Sequence, residues 1–171
     1  MSKILISGYY GFANAGDEAM LTAIIESLRQ VEKNVELTVL SGNPEDTAAK
    51  HQVCSVYRFN PLGIIRAMKD SELIISGGGS LLQDVTSKRS LLYYLSIIGL
   101  GKFFGKKVML FAQGIGPIRA KWARKLTSLV CNEADLITVR DSESAAELIE
   151  MGVKPEKITV TALSLIHISE P

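Results

Sequence analysis

Apolar runs of five to seven residues alternate with longer amphipathic stretches from one end of this chain to the other. A short continuous apolar run suits a strand buried on both faces, and the stretch between two such runs suits a helix that crosses back over the sheet. Repeated along a chain, the alternation leaves one compact solution, a parallel sheet with helices packed on its faces. The pattern predicts strands at Lys3–Ser7, Val35–Leu40, Val53–Arg58, Leu73–Ser76, Lys107–Ala112, Asp135–Val139 and Ile158–Thr161. It predicts helices at about Gly16–Val31, Pro61–Lys69, Ser87–Phe104, Lys121–Asn132 and Ser142–Met151. The first helix gathers Ala19, Met20, Ala23, Ile24, Ser27 and Leu28 on one face and turns Glu26, Arg29 and Gln30 outward. The last runs into Gly152, suited to a left-handed C-cap, with Pro155 just beyond. The expected fold class is α/β, a Rossmann-like, doubly wound, mainly parallel sheet.

At 171 residues and 47% hydrophobic composition, a chain of this size buries about two-thirds of its unfolded surface and can fold without staples. Disorder, a collagenous repeat and a disulfide scaffold are excluded. Cys54 and Cys131 stand far apart and form no Cys/His cluster, so neither a structural zinc site nor a disulfide framework is expected, and a reducing, cytoplasmic compartment is; no metal and no cofactor enters the reading. The apolar run at Ile4–Ile6 breaks at Gly8, too soon for a secretory signal.

The net charge of +1 conceals a segregation. From Lys88 to Asn132 there are nine cations and no Asp or Glu, while the remainder carries ten cations against all eighteen acids. Two readings stand: solvated helix faces, or a side that meets an anion such as a phosphorylated substrate or an anionic lipid surface. No nucleic-acid partner is expected, because Tyr93, Tyr94, Phe103, Phe104 and Trp122 mostly fall in apolar helical runs instead of alternating with cations on a sheet. Within this stretch Ser90–Gly101 is free of charge. Twelve residues fall short of the ~20 that span a bilayer. The segment is either a buried helix or an apolar patch, rimmed by Lys88, Arg89, Lys102, Lys106 and Lys107, that makes peripheral contact with the inner face of a membrane.

Ligands of open α/β sheets bind at the carboxyl ends of the strands. After the first strand, Gly8 to Glu18 places Gly11 and Gly16 at P-loop spacing, but Asp17-Glu18 stand where Lys-Ser/Thr would grip phosphate, which rejects an NTPase. Nor are the glycines spaced as in a dinucleotide fingerprint, and no acid ends the second strand. The alternatives for Asn14 and Asp17 are helix capping and hydrogen bonds to sugar hydroxyls, with Gly16 between them. After the fourth strand, Gly77, Gly78 and Gly79 run into Ser80, a loop that allows close ligand approach and an anion nest. After the fifth, Gln113, Gly114 and Gly116 form a second glycine-bearing loop, either a binding element or a structural turn. After the sixth, Arg140 sits at the strand tip just ahead of Asp141, the expected N-cap; it either forks onto a carboxylate or phosphate or pairs locally with Asp141 or Glu143.

Taken in order, Gly-Tyr-Tyr-Gly-Phe-x-Asn-x-Gly-Asp-Glu, Gly-Gly-Gly-Ser-Leu-Leu-Gln-Asp, Ala-Gln-Gly-Ile-Gly-Pro and Val-Arg-Asp-x-Glu-Ser resemble the polysaccharide pyruvyl transferase family, and within it the bacterial branch that pyruvylates cell-wall polymers. The resemblance covers residues 3–162. It implies a GT-B-like protein of two Rossmann-like domains facing a cleft, this chain being the N-terminal one. It implies transfer of the enolpyruvyl moiety of phosphoenolpyruvate onto two hydroxyls of a sugar in a cell-wall or exopolysaccharide intermediate, giving a cyclic ketal and phosphate. Such chemistry needs cations for the donor, an acid for its methylene carbon and a base for the hydroxyls. By the resemblance Arg140 is an active-site residue for phosphoenolpyruvate. By the same resemblance Asn14, Asp17 and the Gly77–Gly79 loop would face a glycan acceptor, lipid-linked in one version of the reading, or the cleft. Other classes remain open: a GT-B glycosyltransferase fragment, or a non-catalytic module that docks on anionic lipid.

Residues 163–171 read as the in-frame translation of a transposase adapter used in sequencing libraries. They are expected to be non-native, leaving a domain of residues 1–162, a missing second domain and His51 as the one natural histidine. His51 is placed just ahead of a strand start, on the wrong side of the sheet for the site. A chain with one wall of the cleft is expected to be inactive alone and to expose an apolar interdomain face.

Overall fold

The structure is a computed structural model that describes residues 2–161; Ala162 and the adapter-like segment lie outside those residues. The strands are β1 (Lys3–Ser7), β2 (Glu36–Ser41), β3 (Cys54–Tyr57), β4 (Leu73–Ser76), β5 (Gly79–Leu82), β6 (Lys107–Ile115), β7 (Leu136–Val139) and β8 (Ile158–Val160). The helices are α1 (Ala15–Val31), α2 (Pro44–His51), α3 (Pro61–Asp70), α4 (Lys88–Phe103), α5 (Lys121–Glu133) and α6 (Ser142–Met151). All strand pairs are parallel, in the order β3-β2-β1-β4-β6-β7-β8, with β5 paired to β6. The expected doubly wound sheet is therefore present, and the order reverses between β1 and β4, where such folds bind ligands.

Side-chain alternation along β1 divides the core. Leu5 faces α3 and α4 with Ile64, Met68, Ile74 and Ile98, while Ile4 and Ile6 face α1 with Leu21, Ile24 and Ile25. The charge-free segment is a buried helix: Leu91, Tyr94, Leu95, Ile97 and Ile98 of α4 are all in the core. Among the described residues no helix is long and apolar enough to cross a membrane.

Three features depart from the sequence reading. α2 follows β2 at once, started by Asn43, whose side chain accepts the Asp46 N–H, and by Pro44 in the first turn. The supposed glycine loop after β4 is a two-residue jog. The track along β6 runs from Leu73 opposite Lys107 to Ser76 opposite Leu110, and resumes with Gly79 opposite Gln113. β4 and β5 are thus one strand interrupted at Gly77-Gly78. The second supposed loop, Ala112–Ile115, is still β6. Between Leu110 and Gln113 this strand carries one residue more than β7 does between Ile137 and Val139, a bulge with Ala112 in the left-handed region at φ 49°. Thr138 fills it: its hydroxyl accepts the Ala112 N–H at 2.7 Å and donates to the Leu110 carbonyl at 3.3 Å.

Candidate functional site

At the β1/β4 switch point lies a groove of about 450 Å3 lined by Tyr9, Asp17, Ser80, Gln83, Ser90 and Tyr94, among others. A larger cavity of about 490 Å3 lies between α3 and strands β2 and β3, where Lys3 and Glu36 mark the opposite edge of the sheet.

Asp17 owes its place to the start of α1. Asn14 is the N-cap, its side-chain oxygen accepting the Asp17 N–H at 3.1 Å, so Asn14 is spent on capping and Gly16 lies exposed in the first turn. The helix N-terminus favours a carboxylate there. Even so, burial and then the neighbouring Glu18 charge push the Asp17 carboxyl above the ordinary range. A half-buried carboxyl with that shift, opening on a groove at the switch point, is suited to proton transfer.

Glu18 has a different duty. One carboxylate oxygen accepts the Gly11 N–H at 2.9 Å and the other lies 3.3 Å from His51 Nε2. Although His51 ends α2 ahead of β3, its imidazole reaches back to the first turn of α1, so the expectation that it lies on the wrong side of the sheet is corrected. It braces the loop after β1 through Glu18.

The glycines shape the floor. Gly77 and Gly78 are buried, and the Gly77 N–H already donates to the Ser7 carbonyl at 2.6 Å, which takes that group out of any anion nest. A β-carbon on Gly77 would run into the Tyr10 hydroxyl, which lies in the core beneath. Gly79, at φ +102°, approaches the Asp17 carboxylate, and Ser80 is exposed to the groove. Gln113 is fully buried; its amide donates to the carbonyls of Ser76 and Gly77, tying off the jog, and it presents nothing to a ligand.

Arg140 follows β7 with an exposed side chain. Its Nε donates to Asp141 at 3.3 Å, the local pair anticipated from sequence, while Asp141 also caps α6 through the Ser144 N–H at 2.7 Å. That capping bond and then Arg140 hold the Asp141 carboxyl below its usual range. Gly114 leaves the space in which the guanidinium lies, and Gly116 packs on Gln83 of the groove wall. Asp17 and Ser80 therefore share the groove, whereas Arg140 stands along the same edge, beyond β6.

Sequence reasoning missed two residues. Asp84, the last of the glycine-rich motif, accepts the N–H groups of Arg119 and Ala120 and so caps α5, which lacks a cap of its own. Those bonds hold its carboxyl below the usual range. Arg58, read as a strand end, is buried among aromatic rings. Three cations of the basic stretch are taken up locally. Lys102 and Lys107 converge on Asp135 at the amino edge of β6 and β7, 2.8 and 3.8 Å away, and Lys106 donates to the Lys69 carbonyl. These cations lie across the sheet from the groove.

Over residues 14–162 the sequence matches the polysaccharide pyruvyl transferase family. The chain belongs to that family. No curated protein matches it significantly. Among solved structures this family member is similar to HepE of Anabaena in complex with UDP and glucose, with TM-score 0.61 and 12% identity, over 94% of this chain and 44% of that one. It is similar to the lipopolysaccharide outer core galactosyltransferase WaaB, with TM-score 0.55 and 16% identity, over 93% and 45%. It is also similar to UDP-GlcNAc 2-epimerase from Neisseria meningitidis bound to UDP-GlcNAc, with TM-score 0.57 and 13% identity, over 99% and 50%. The chain thus has the Rossmann-like fold seen in GT-B glycosyltransferases and epimerases, and it spans half or less of the length of these proteins.

Proposed function

We propose that this chain forms one wall of the site of a transferase that moves the pyruvyl group of phosphoenolpyruvate onto a glycan. Two hydroxyls of one sugar add to C2 of the enolpyruvyl group, C3 gains a proton, and the C2–O bond to phosphate breaks. One hydroxyl proton ends on C3 and the other leaves with phosphate, so the products are a cyclic ketal and inorganic phosphate. Asp17 carries the reading: its carboxyl opens on the groove at the switch point, and burial pushes it above the ordinary carboxylate range, which makes it a better acceptor for a hydroxyl proton. Arg140 is the exposed guanidinium on the same edge and serves the donor's carboxylate or phosphate, exchanging its contact with Asp141 for the substrate. Ser80 and Gln83 offer the acceptor hydrogen bonds. The donor takes no cofactor, and the remaining cations and the acid for C3 belong to parts of the protein that this chain does not supply, so the 171 residues alone bind without turning over. The protein works in the cytoplasm, where a lipid-linked acceptor would be within reach at the membrane.

Calorimetric titration of the chain with phosphoenolpyruvate and, separately, with UDP tests the reading. Phosphoenolpyruvate binding that weakens about tenfold in Arg140→Ala, a loss of ~1.4 kcal/mol, supports it. Binding of UDP with none of phosphoenolpyruvate transfers the site to a glycosyltransferase.

A further inference from the structure

Arg58 follows β3 and is only 4% exposed. An arginine in the interior ordinarily meets an acid, because an unpaired buried charge is costly. Here, among the described residues, none pairs with it. Its guanidinium carbon lies 4.5 to 5.8 Å from the centroids of five rings, those of Tyr9, Phe12, Phe59, Tyr93 and Tyr94. One Nη donates to the Tyr94 hydroxyl at 3.4 Å, the Tyr93 hydroxyl donates to the Arg58 carbonyl at 2.7 Å, and Nε has no partner among the described residues.

The rings also hold one another. Tyr9 stacks on Phe12 at 4.3 Å, and Phe59 meets Tyr57 and Tyr93 edge to face at 5.8 and 5.6 Å. Tyr9, Phe12, Tyr57 and Phe59 are nonetheless 41 to 59% exposed. Rigid, exposed aromatic rings with wet edges mark a binding surface. All four sit just past the carboxyl ends of β1 and β3, or at the end of β3, on the groove's own edge of the sheet, and Tyr9 and Tyr94 belong to the groove and to the Arg58 cluster alike.

The charge nearby narrows the occupant. Among the described residues Asp17 is the one charged side chain lining the groove, and the cluster's own cation, Arg58, is buried. Nucleic acid and anionic lipid are disfavoured by that arrangement. A pyranose fits: one face of the sugar is a sheet of C–H bonds that lies on a ring's electron-rich face, while its hydroxyls stay in water. We infer that Tyr9, Phe12 and Phe59, locked in place by Arg58, form a second carbohydrate subsite that holds the sugar next to the one in the groove. The inference rests on the glycan-acceptor reading given above. Preorganisation by Arg58 removes the cost of ordering the rings when the sugar arrives.

The test uses the 171-residue chain and neutral probes, namely methyl glycosides of glucose, galactose, mannose and N-acetylglucosamine and the corresponding β1,4-linked disaccharides, followed by saturation-transfer NMR and calorimetry. The expected result is at least one disaccharide that binds about tenfold more tightly than its monosaccharide, the size of one aromatic contact. Phe59→Ala, at a site 59% exposed, returns that disaccharide to the monosaccharide's affinity while circular dichroism shows the chain still folded at the assay temperature. Phe103→Ala, on a ring at the end of α4 that is 81% exposed, has no effect. Equal affinities for disaccharide and monosaccharide, or a disaccharide increment that survives Phe59→Ala, overturn the inference, as does absence of any sugar binding. Phosphoenolpyruvate titrated into the same samples separates the two readings: binding of the donor without a disaccharide increment sinks the subsite alone, and the increment without donor binding sinks the pyruvyl reading alone.

Discussion

Tyr10 and Gly77 form a pair whose coupling can be measured. The Tyr10 ring is fully buried, and its hydroxyl finds no hydrogen-bond partner among the described residues. Burial and then the Asp17 charge drive the phenol's ionisation far upward, so the hydroxyl stays neutral. Removing an unsatisfied buried hydroxyl relieves about 1–2 kcal/mol, so Tyr10→Phe is expected to stabilise the domain by that amount. Gly77→Ala places a methyl on the Tyr10 oxygen, with Tyr10 Cζ at 3.1 Å and the Ser7 carbonyl at 3.2 Å as the next contacts. Overpacking of this kind costs about 1–3 kcal/mol. With the hydroxyl gone, only the two contacts beyond 3 Å remain, and those yield to shifts of a few tenths of an ångström. The penalty of Gly77→Ala should then fall by about 1 kcal/mol or more in the Tyr10→Phe background, within the range seen for touching residues. Urea unfolding followed by circular dichroism reads all four proteins, and each kcal/mol also moves the melting temperature by about 2–4 °C. A loss of stability in Tyr10→Phe would show that the hydroxyl is bonded after all. Equal Gly77→Ala penalties in both backgrounds would show that the jog does not rest on it.

Other outcomes follow from the same geometry. Asp84→Asn should flatten the loss of melting temperature in acid: the Asp84 carboxyl is depressed by the Ala120 and Arg119 N–H groups, so its contribution is present above the unfolded carboxylate pKa of about 3.9 and is lost as pH falls through the folded value. Asp17→Asn carries the opposite sign. A carboxyl raised by burial withholds stability above its folded pKa, so the variant should melt higher at pH 7, and the difference should vanish as pH falls through that range. Gly114→Ala would set a methyl within 2.6 Å of Arg140 Nε and 2.8 Å of Nη1. It should weaken phosphoenolpyruvate binding as much as Arg140→Ala does, while unfolding shifts by less than about 1 kcal/mol, because an exposed side chain can swing away.

The strands and long helices were legible in the sequence because burial on both faces leaves runs such as Leu73–Ser76 with no polar interruption. α2 was not, since Pro44–His51 buries only Thr47 and has no apolar stripe to read. By composition the two glycine segments read as loops. In a parallel sheet, backbone pairing sets the outcome, and β5 continues along β6 whatever its glycines suggest. For the site, spacing sufficed to flag Asp17 and Arg140, which sit at strand or helix ends, but not to separate Ser80, which faces the groove, from Gln113, which is sealed inside. Tyr57-Arg58-Phe59 did offer a signal, a cation between two aromatics at a strand end. Its meaning depended on Tyr9, Phe12, Tyr93 and Tyr94 arriving from elsewhere.

Val108 and Leu110 of β6 pack in the same core as Ile115, although an unbroken strand would send even and odd positions to opposite faces. The supernumerary residue near Ala112 reverses the parity of the strand. Its deletion would leave one residue between Leu110 and Gln113, matching Ile137 and Val139 of β7 but no longer matching the two-residue jog between Ser76 and Gly79. The ladder to β7 would become regular while Gly79 lost its place opposite Gln113, drawing the amide off the Ser76 and Gly77 carbonyls it seals. That part of the edge is encoded by an odd count of residues, and no conservative substitution can imitate or repair the loss of one.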